Sequence, residues 1–259
     1  MGSWRKTRKR LPEIRFSVSL ENADDTLTSE NEGDSGKMDL KDLFPVWKQL
    51  TEAQQKELET AAVLRRFAKG MRLHSGTGDC VGLLLVAKGL LRAFIVTEEG
   101  REITVYRLFE RDICLFSASC MLHSVQFDLY VEAEEETEAY LIPPQLYEKL
   151  MKSSLAVANY TNELMASRLS EVMWLLDQVL SKSFDARLAA FLLEERDVEQ
   201  SDTLHVTHDQ IARHLGSARE VVTRMLRHFQ AEGLTETGRG FISLRDPDRL
   251  EKLAAPAKR

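Results

Sequence analysis

Between Gly100 and Gly216 the chain contains no glycine, and it has only three cysteines in 259 residues. A backbone that cradles a phosphate group needs residues without side chains, so the long glycine-free middle holds no glycine-rich phosphate loop. Three cysteines are too few, and odd in number, for a secreted disulfide framework. The longest apolar run, Val81–Ala87, falls far short of the ~20 residues that cross a bilayer. The basic start, Arg5–Arg10, is not followed by the apolar stretch of a secretory signal. No metal-binding motif is recognisable, and no cysteine has an identifiable base beside it, so a cysteine-dependent enzyme is only a remote alternative. These absences predict a cytoplasmic, thiol-reduced protein that is neither membrane-bound nor an enzyme.

What is present is unevenly charged. Residues 1–37 hold 7 Lys+Arg and 7 Asp+Glu, and residues 205–259 hold 10 and 7, leaving 18 and 27 for the span between. Only the C-terminal segment is basic, within a chain of net charge −6. That asymmetry is expected of a DNA-binding module joined to an acidic partner domain.

The patterning divides the chain into four parts. Residues 1–37 are polar and aperiodic and read as a disordered tail. Residues 38–144 open with a helix over about 51–62, capped by Thr51 and Gln54. Short β-rich runs follow (GLLLVA, LLRAFIV, EITVYRL, FDLYVEA, TEAYLI), separated by turn signals, the pattern of a small barrel or jelly roll. Pro143 and Pro144 end it. Residues 145–181 read as one long helix with a heptad seam at Ala158, Asn162, Met165, Leu169, Val172, Leu176 and Val179, which suits pairing with an identical helix. Leu164, Trp174, Leu175 and Leu180 lie off that seam and could cover the barrel.

Residues 182–259 carry the most informative motif. Thr207 and Gln210 cap a helix that ends at Gly216, and Ser217 with Glu220 is placed to cap a second, making a helix-turn-helix. On the second helix Val222, Met225, Leu226 and Phe229 share an inward face. Arg219, Glu220, Thr223 and Arg224 are then presented to a major groove, where arginine suits guanine and glutamate suits cytosine. LTET and FISL around Gly238–Gly240 read as a wing, with Arg239 placed for a phosphate.

The recognition segment ARE-VVTR resembles SRE-TVGR of the Crp/Fnr family of transcription regulators, and the likeness runs from about residue 40 to 255. It implies an α+β architecture: an N-terminal β-roll of the cyclic-nucleotide-binding type, a long dimerisation helix and a C-terminal winged helix. The resemblance places base readers at Arg219, Glu220 and Arg224, and puts Ala218 where the family has serine. The implied partners are double-stranded operator DNA, a second copy of the chain, and RNA polymerase if the regulator activates.

The effector is left open. Family members that bind cyclic AMP use a Gly-Glu pair and an Arg-Ser pair, and the matching positions here are Leu115–Phe116 and Phe127–Asp128, which argue against a cyclic nucleotide. Three cysteines cannot supply four thiolates to an iron–sulfur cluster from one chain. Cys114 matches the cysteine of the haem-containing carbon monoxide sensors, but Phe116 stands where their ligand histidine does, which leaves His74 or His123 as substitutes. Cys80, Cys114 and Cys120 are therefore candidate sensor thiols, against the plainer reading of three core cysteines.

Overall fold

The computed structural model describes residues 38–75, 81–121 and 127–255; the tail 1–37, Gly76, Cys80 and His123 lie outside them, as does the side chain of Cys120. The described residues divide into two compact units, those of 38–93 with 106–169 and those of 94–105 with 170–255.

The first unit begins with helices α1 (Leu40–Leu43) and α2 (Glu52–Ala61). Thr51 and Gln54 form the expected reciprocal capping box at the head of α2, satisfying two backbone donors that the first turn would otherwise leave open. Eight strands follow: β1 (Val63–Phe67), β2 (Arg72–Ser75), β3 (Leu83–Lys88), β4 (Leu91–Val96), β5 (Glu102–Leu108), β6 (Ile113–Cys114), β7 (Tyr130–Ala133) and β8 (Thr137–Ile142). They form two four-stranded sheets, ordered β1-β8-β3-β6 and β2-β7-β4-β5. This is the expected β-roll, with three strands (β1, β2 and β6) that no apolar run announces.

The β3–β8 pairing runs antiparallel from Leu83↔Ile142 to Lys88↔Glu138. It can turn into β4 because Gly89 has φ of 97°, and a Cβ there would lie 2.6 Å from the Glu136 carbonyl oxygen. Alternate residues of the first sheet (Leu83, Leu85, Ile113, Ile142) are buried against Leu43 of α1, Leu58 of α2 and residues of the helices that follow β8. Burying side chains of this size stabilises by roughly 1.5–3 kcal/mol each.

The helix expected over 145–181 is interrupted. Pro144 starts α3 (Pro144–Ser153), and α4 (Leu155–Ser181) begins after Ser154, whose backbone is extended at φ −131°, ψ 113°. The Ser154 hydroxyl accepts from the Val157 N–H at 3.4 Å, so serine both ends one helix and caps the next. Of the four off-seam residues, Leu164 is buried in the core of the roll, whereas Trp174 and Leu180 are exposed and Leu175 is half-buried. Leu164 is therefore the one of the four that covers the roll.

The second unit contains α5 (Phe184–Glu199), β9 (Thr203–Leu204), α6 (His208–Leu215), α7 (Arg219–Ala231), β10 (Thr235–Gly238), β11 (Phe241–Leu244) and α8 (Pro247–Ala254). A three-stranded sheet, β10-β11-β9, makes the wing, and β9 is a strand that the sequence pattern does not reveal. The core joins Leu188, Leu192 and Leu193 of α5 to Ile211, Val222, Leu226, Phe229, Ile242 and Leu250. Residues 94–105, the outer half of the β4–β5 hairpin, cluster with this unit. Ile103 bridges to Leu215, Thr104 Oγ1 lies 2.8 Å from His214 Nδ1, and Glu102 accepts from Arg213 Nε at 2.9 Å.

Candidate nucleic-acid interface

Helices α6 and α7 are joined by a turn whose hinge is Gly216, in the left-handed conformation at φ 65°. Any side chain there would collide with Ile103 as well as strain the backbone, since a Cβ would sit 2.6 Å from Ile103 Cγ1. Thr207 and Gln210 form the second expected capping box, on α6. The expected Ser217 cap of α7 is not formed: the N-cap is Ala218, which has no side-chain acceptor to offer. The helix starts one residue later than Ser217 would require, and its first turn carries Glu220 instead, which favours the positive helix end.

Val222, Leu226 and Phe229 are buried and Met225 is half-buried, so the inward face is the one the periodicity predicts. Arg219, Glu220 and Arg224 project into solvent on the other side. Arg219 is partnered by Asp209 of α6 at 3.2 Å, with both side chains more than half exposed. A pair in that setting is worth little and yields readily to a stronger anion. Thr223 differs: it is half-buried, and its hydroxyl lies 2.9 Å from His208 Nδ1.

Arg239 is exposed at the tip of the wing, where Gly240 supplies the positive φ of 87° that the turn needs. The wing is tied back to α7 by the Thr237 N–H, which donates to Gln230 Oε1 at 3.3 Å. Residues that the sequence reading missed, His208, Arg227 and Gln230, line a groove of about 540 Å³ between α6, α7 and the wing. The available signal was positional: His208 directly follows the capping threonine, and Arg227 lies one turn beyond Arg224.

In the roll, the candidate sensor residues sit differently. Cys114 is completely buried on β6 and unbridged. Burial raises its thiol pKa above the ordinary value, against smaller opposing effects of Ser117, Tyr106 and Arg168. Its Sγ lies 3.8 Å from the Tyr106 hydroxyl. Leu115 is buried. Phe116 packs between Tyr106 and Phe127, at ring-centroid distances of 6.4 and 5.6 Å. Arg168 of α4 reaches in, with its guanidinium 4.6 Å from the centre of the Tyr106 ring. His74 is buried on β2, and no group of three or more metal-ligating side chains occurs among the described residues.

A β-roll, a long helix and a winged helix-turn-helix with an exposed arginine-glutamate-arginine face together define a DNA-binding regulator. The family model of the Crp-like helix-turn-helix domain matches residues 186–253. A solved structure from Eubacterium rectale, assigned to the Crp/Fnr family of transcriptional regulators, is 52% identical, with a TM-score of 0.79; the match covers 82% of this chain and 98% of that one. The cyclic AMP receptor protein of Thermus thermophilus is 28% identical over 172 residues, 66% of this chain and 79% of the relative. The fumarate and nitrate reduction regulatory protein of Escherichia coli is 27% identical over 197 residues, 72% and 76%. The chain belongs to the Crp/Fnr family of transcription regulators. Among the described residues no helix is long and apolar enough to cross a membrane.

Proposed function

We propose that the protein is a homodimeric, sequence-specific regulator that reads operator DNA through Arg219, Glu220 and Arg224, steadied on the backbone by Arg239, and answers to an effector other than a cyclic nucleotide. The observation that carries the DNA reading is the split of α7 into a buried apolar face and an exposed face holding two arginines and a glutamate. Arginine forks onto guanine O6 and N7, and glutamate accepts from cytosine N4, each good contact discriminating by about 1–3 kcal/mol.

Dimerisation is supported by α4. Along it Asn162, Leu169, Leu176 and Val179 of the seam are exposed and Met165 and Val172 are half-buried, with Met173 and Leu180 exposed beside them. An apolar stripe of this length on one helix, left in water, would be costly, and a second α4 at 3.5-residue spacing covers it. With RNA polymerase as a further partner, the dimer would activate; without it, it would repress by occupancy.

The effector reading rests on the residues at the family's ligand positions. Buried Leu115, the Phe116–Phe127 pair and the carboxylate of Asp128 offer a phosphodiester neither a cation nor bare backbone. Haem fits no better: the Cys114 thiol is sealed from solvent, and Phe116 takes the place of the histidine. Burial also keeps Cys114 a poor redox thiol, because the reactive thiolate is disfavoured there. The test is isothermal titration of the purified protein with cyclic AMP, together with absorbance spectra and metal content of protein purified without oxygen. No heat of binding and no Soret band are expected. Micromolar cyclic AMP binding would refute the effector reading, and stoichiometric haem would overturn the argument against haem.

A further inference from the structure

The groove between α6, α7 and the wing has a composition that selects its occupant. His208 lines it from α6, Thr223, Leu226, Arg227 and Gln230 from α7, and Thr237 from the wing. Thr223 Oγ1 holds one ring nitrogen of His208 at 2.9 Å, so the second nitrogen is left for a ligand in the groove. The charges acting on the ring are Asp209 on its own helix and Arg219 and Arg227 on α7. The wing contributes the uncharged Thr237. Arg219 and Asp209 pair with each other at 3.2 Å, so Arg227, one turn beyond Arg224, is the cation that lines the groove. With His208, Thr223, Gln230 and Thr237 around it, the groove suits an anion with hydrogen-bond acceptors on several sides.

We propose that a DNA backbone phosphate seats in this groove against Arg227 and His208, and that His208 takes up a proton from solvent as the phosphate arrives, so that DNA affinity rises as pH falls. The inference rests on the DNA-binding reading above and adds a regulation of that same surface. In the free protein, partial burial first, then Arg219 and Arg227, hold the His208 pKa below the ordinary 6.5, with Asp209 opposing. The ring is therefore neutral near neutral pH. A phosphate reverses the balance, because a charge-assisted hydrogen bond favours the imidazolium. Once protonated, His208 donates Nδ1–H to Thr223 Oγ1 and Nε2–H to the phosphate.

The sign follows from linkage. Between the lowered pKa of the free protein and the raised one of the complex, the bound state holds a proton that the free state lacks. Affinity therefore climbs as pH falls through that window, by up to about tenfold per pH unit for each bound head. A phosphate contact is blind to sequence, so the effect appears on any duplex.

The experiment is fluorescence anisotropy of the full-length protein with a labelled duplex of arbitrary sequence, from roughly pH 5.5 to 8, where histidines titrate, at constant ionic strength. Wild type, His208→Gln and His208→Arg are compared. Wild type should tighten with acid. The glutamine variant should lose that part of the slope, and the arginine variant should bind as tightly at pH 8 as at pH 6. The arginine variant also shows that the fold tolerates replacement. An unchanged slope in His208→Gln, or His208→Arg no tighter than His208→Gln at the alkaline end, overturns the proposal. An effect confined to a selected operator and absent from the arbitrary duplex would place His208 behind base reading through Thr223, and overturns it too. If the wild type binds no duplex at any pH, the DNA-binding reading itself fails, which is a separable result.

Discussion

Two sets of arginines, one in each unit, are deployed in opposite ways. Three in the first unit are inside: Arg92 is 2% exposed and lies near Glu132, Arg107 meets Glu134 at 2.7 Å, and Arg168 lies over the Tyr106 ring, whereas Arg65, Arg66 and Arg72 face solvent. In the winged helix, Arg219, Arg224, Arg227 and Arg239 stand exposed. A cation taken out of water must find its counter-charge within the fold, because the desolvation cost is several kcal/mol per ion. A cation left in water is held ready for a partner that arrives later. The contrast separates arginines that build the protein from arginines that the proposed reading sets to work on DNA.

The largest effect that can break this contrast concerns the helix α4 between sensing and reading. Leu169→Glu alters a side chain that is 63% exposed in the single chain, so the fold of one chain should survive. If the seam pairs, two like charges meet in an apolar interface. Light scattering should then show monomers, and operator affinity should fall to the non-specific level, about 10³-fold or more. A Leu169→Glu protein that stays dimeric would show that the apolar stripe serves some other purpose.

Next in size is a change confined to the roll. Cys114→Ser puts a hydroxyl into a fully buried site, with an expected loss of roughly 1–3 kcal/mol of stability. The set of DNA sequences bound should not change. Altered base preference in that variant would mean that the roll and the reading face are coupled through Cys114.

Arg239→Ala tests the other half. It should weaken all duplexes alike and reduce the salt dependence by about one phosphate contact per wing, measured as the slope of log affinity against log salt. Thermal stability should be unaffected, since the side chain is exposed at a turn. The smallest effect is a gain: Ala218→Ser supplies the side-chain cap that α7 lacks and should stabilise the protein by about 1 kcal/mol, read as a shift in urea midpoint.

The same contrast explains how much was legible beforehand. The winged helix announces itself because both of its signals are local: a capping box at Thr207 and Gln210, and apolar residues at i, i+3, i+4 and i+7 from Val222. The wing was readable from its glycines. The roll was readable only as a run of strands, since Val63–Phe67 carries two arginines and Ile113–Cys114 is two residues long. That Arg92 and Arg107 are buried depends on Glu132 and Glu134, partners 40 and 27 residues away in sequence that no local pattern points to. The break at Ser154 could have been read, since Ser154 is a favourable N-cap ahead of Leu155–Ser181, but the absence of glycine and proline argued for continuity. Ser217 fails as a cap for the converse reason: its side-chain chemistry is right but the backbone turns one residue later, at Ala218.

The central claim is that α7 reads bases with Arg219, Glu220 and Arg224. Selection of bound sequences from a randomised duplex pool, run in parallel with wild type, Glu220→Ala and Arg224→Ala, tests it most directly. The wild type should enrich two inverted half-sites about one helical turn apart. Each variant should lose discrimination at one position per half-site, by about 1–3 kcal/mol, and keep the rest of the pattern. A wild type that enriches nothing, or variants whose selected sequences match those of the wild type at every position, would contradict the account.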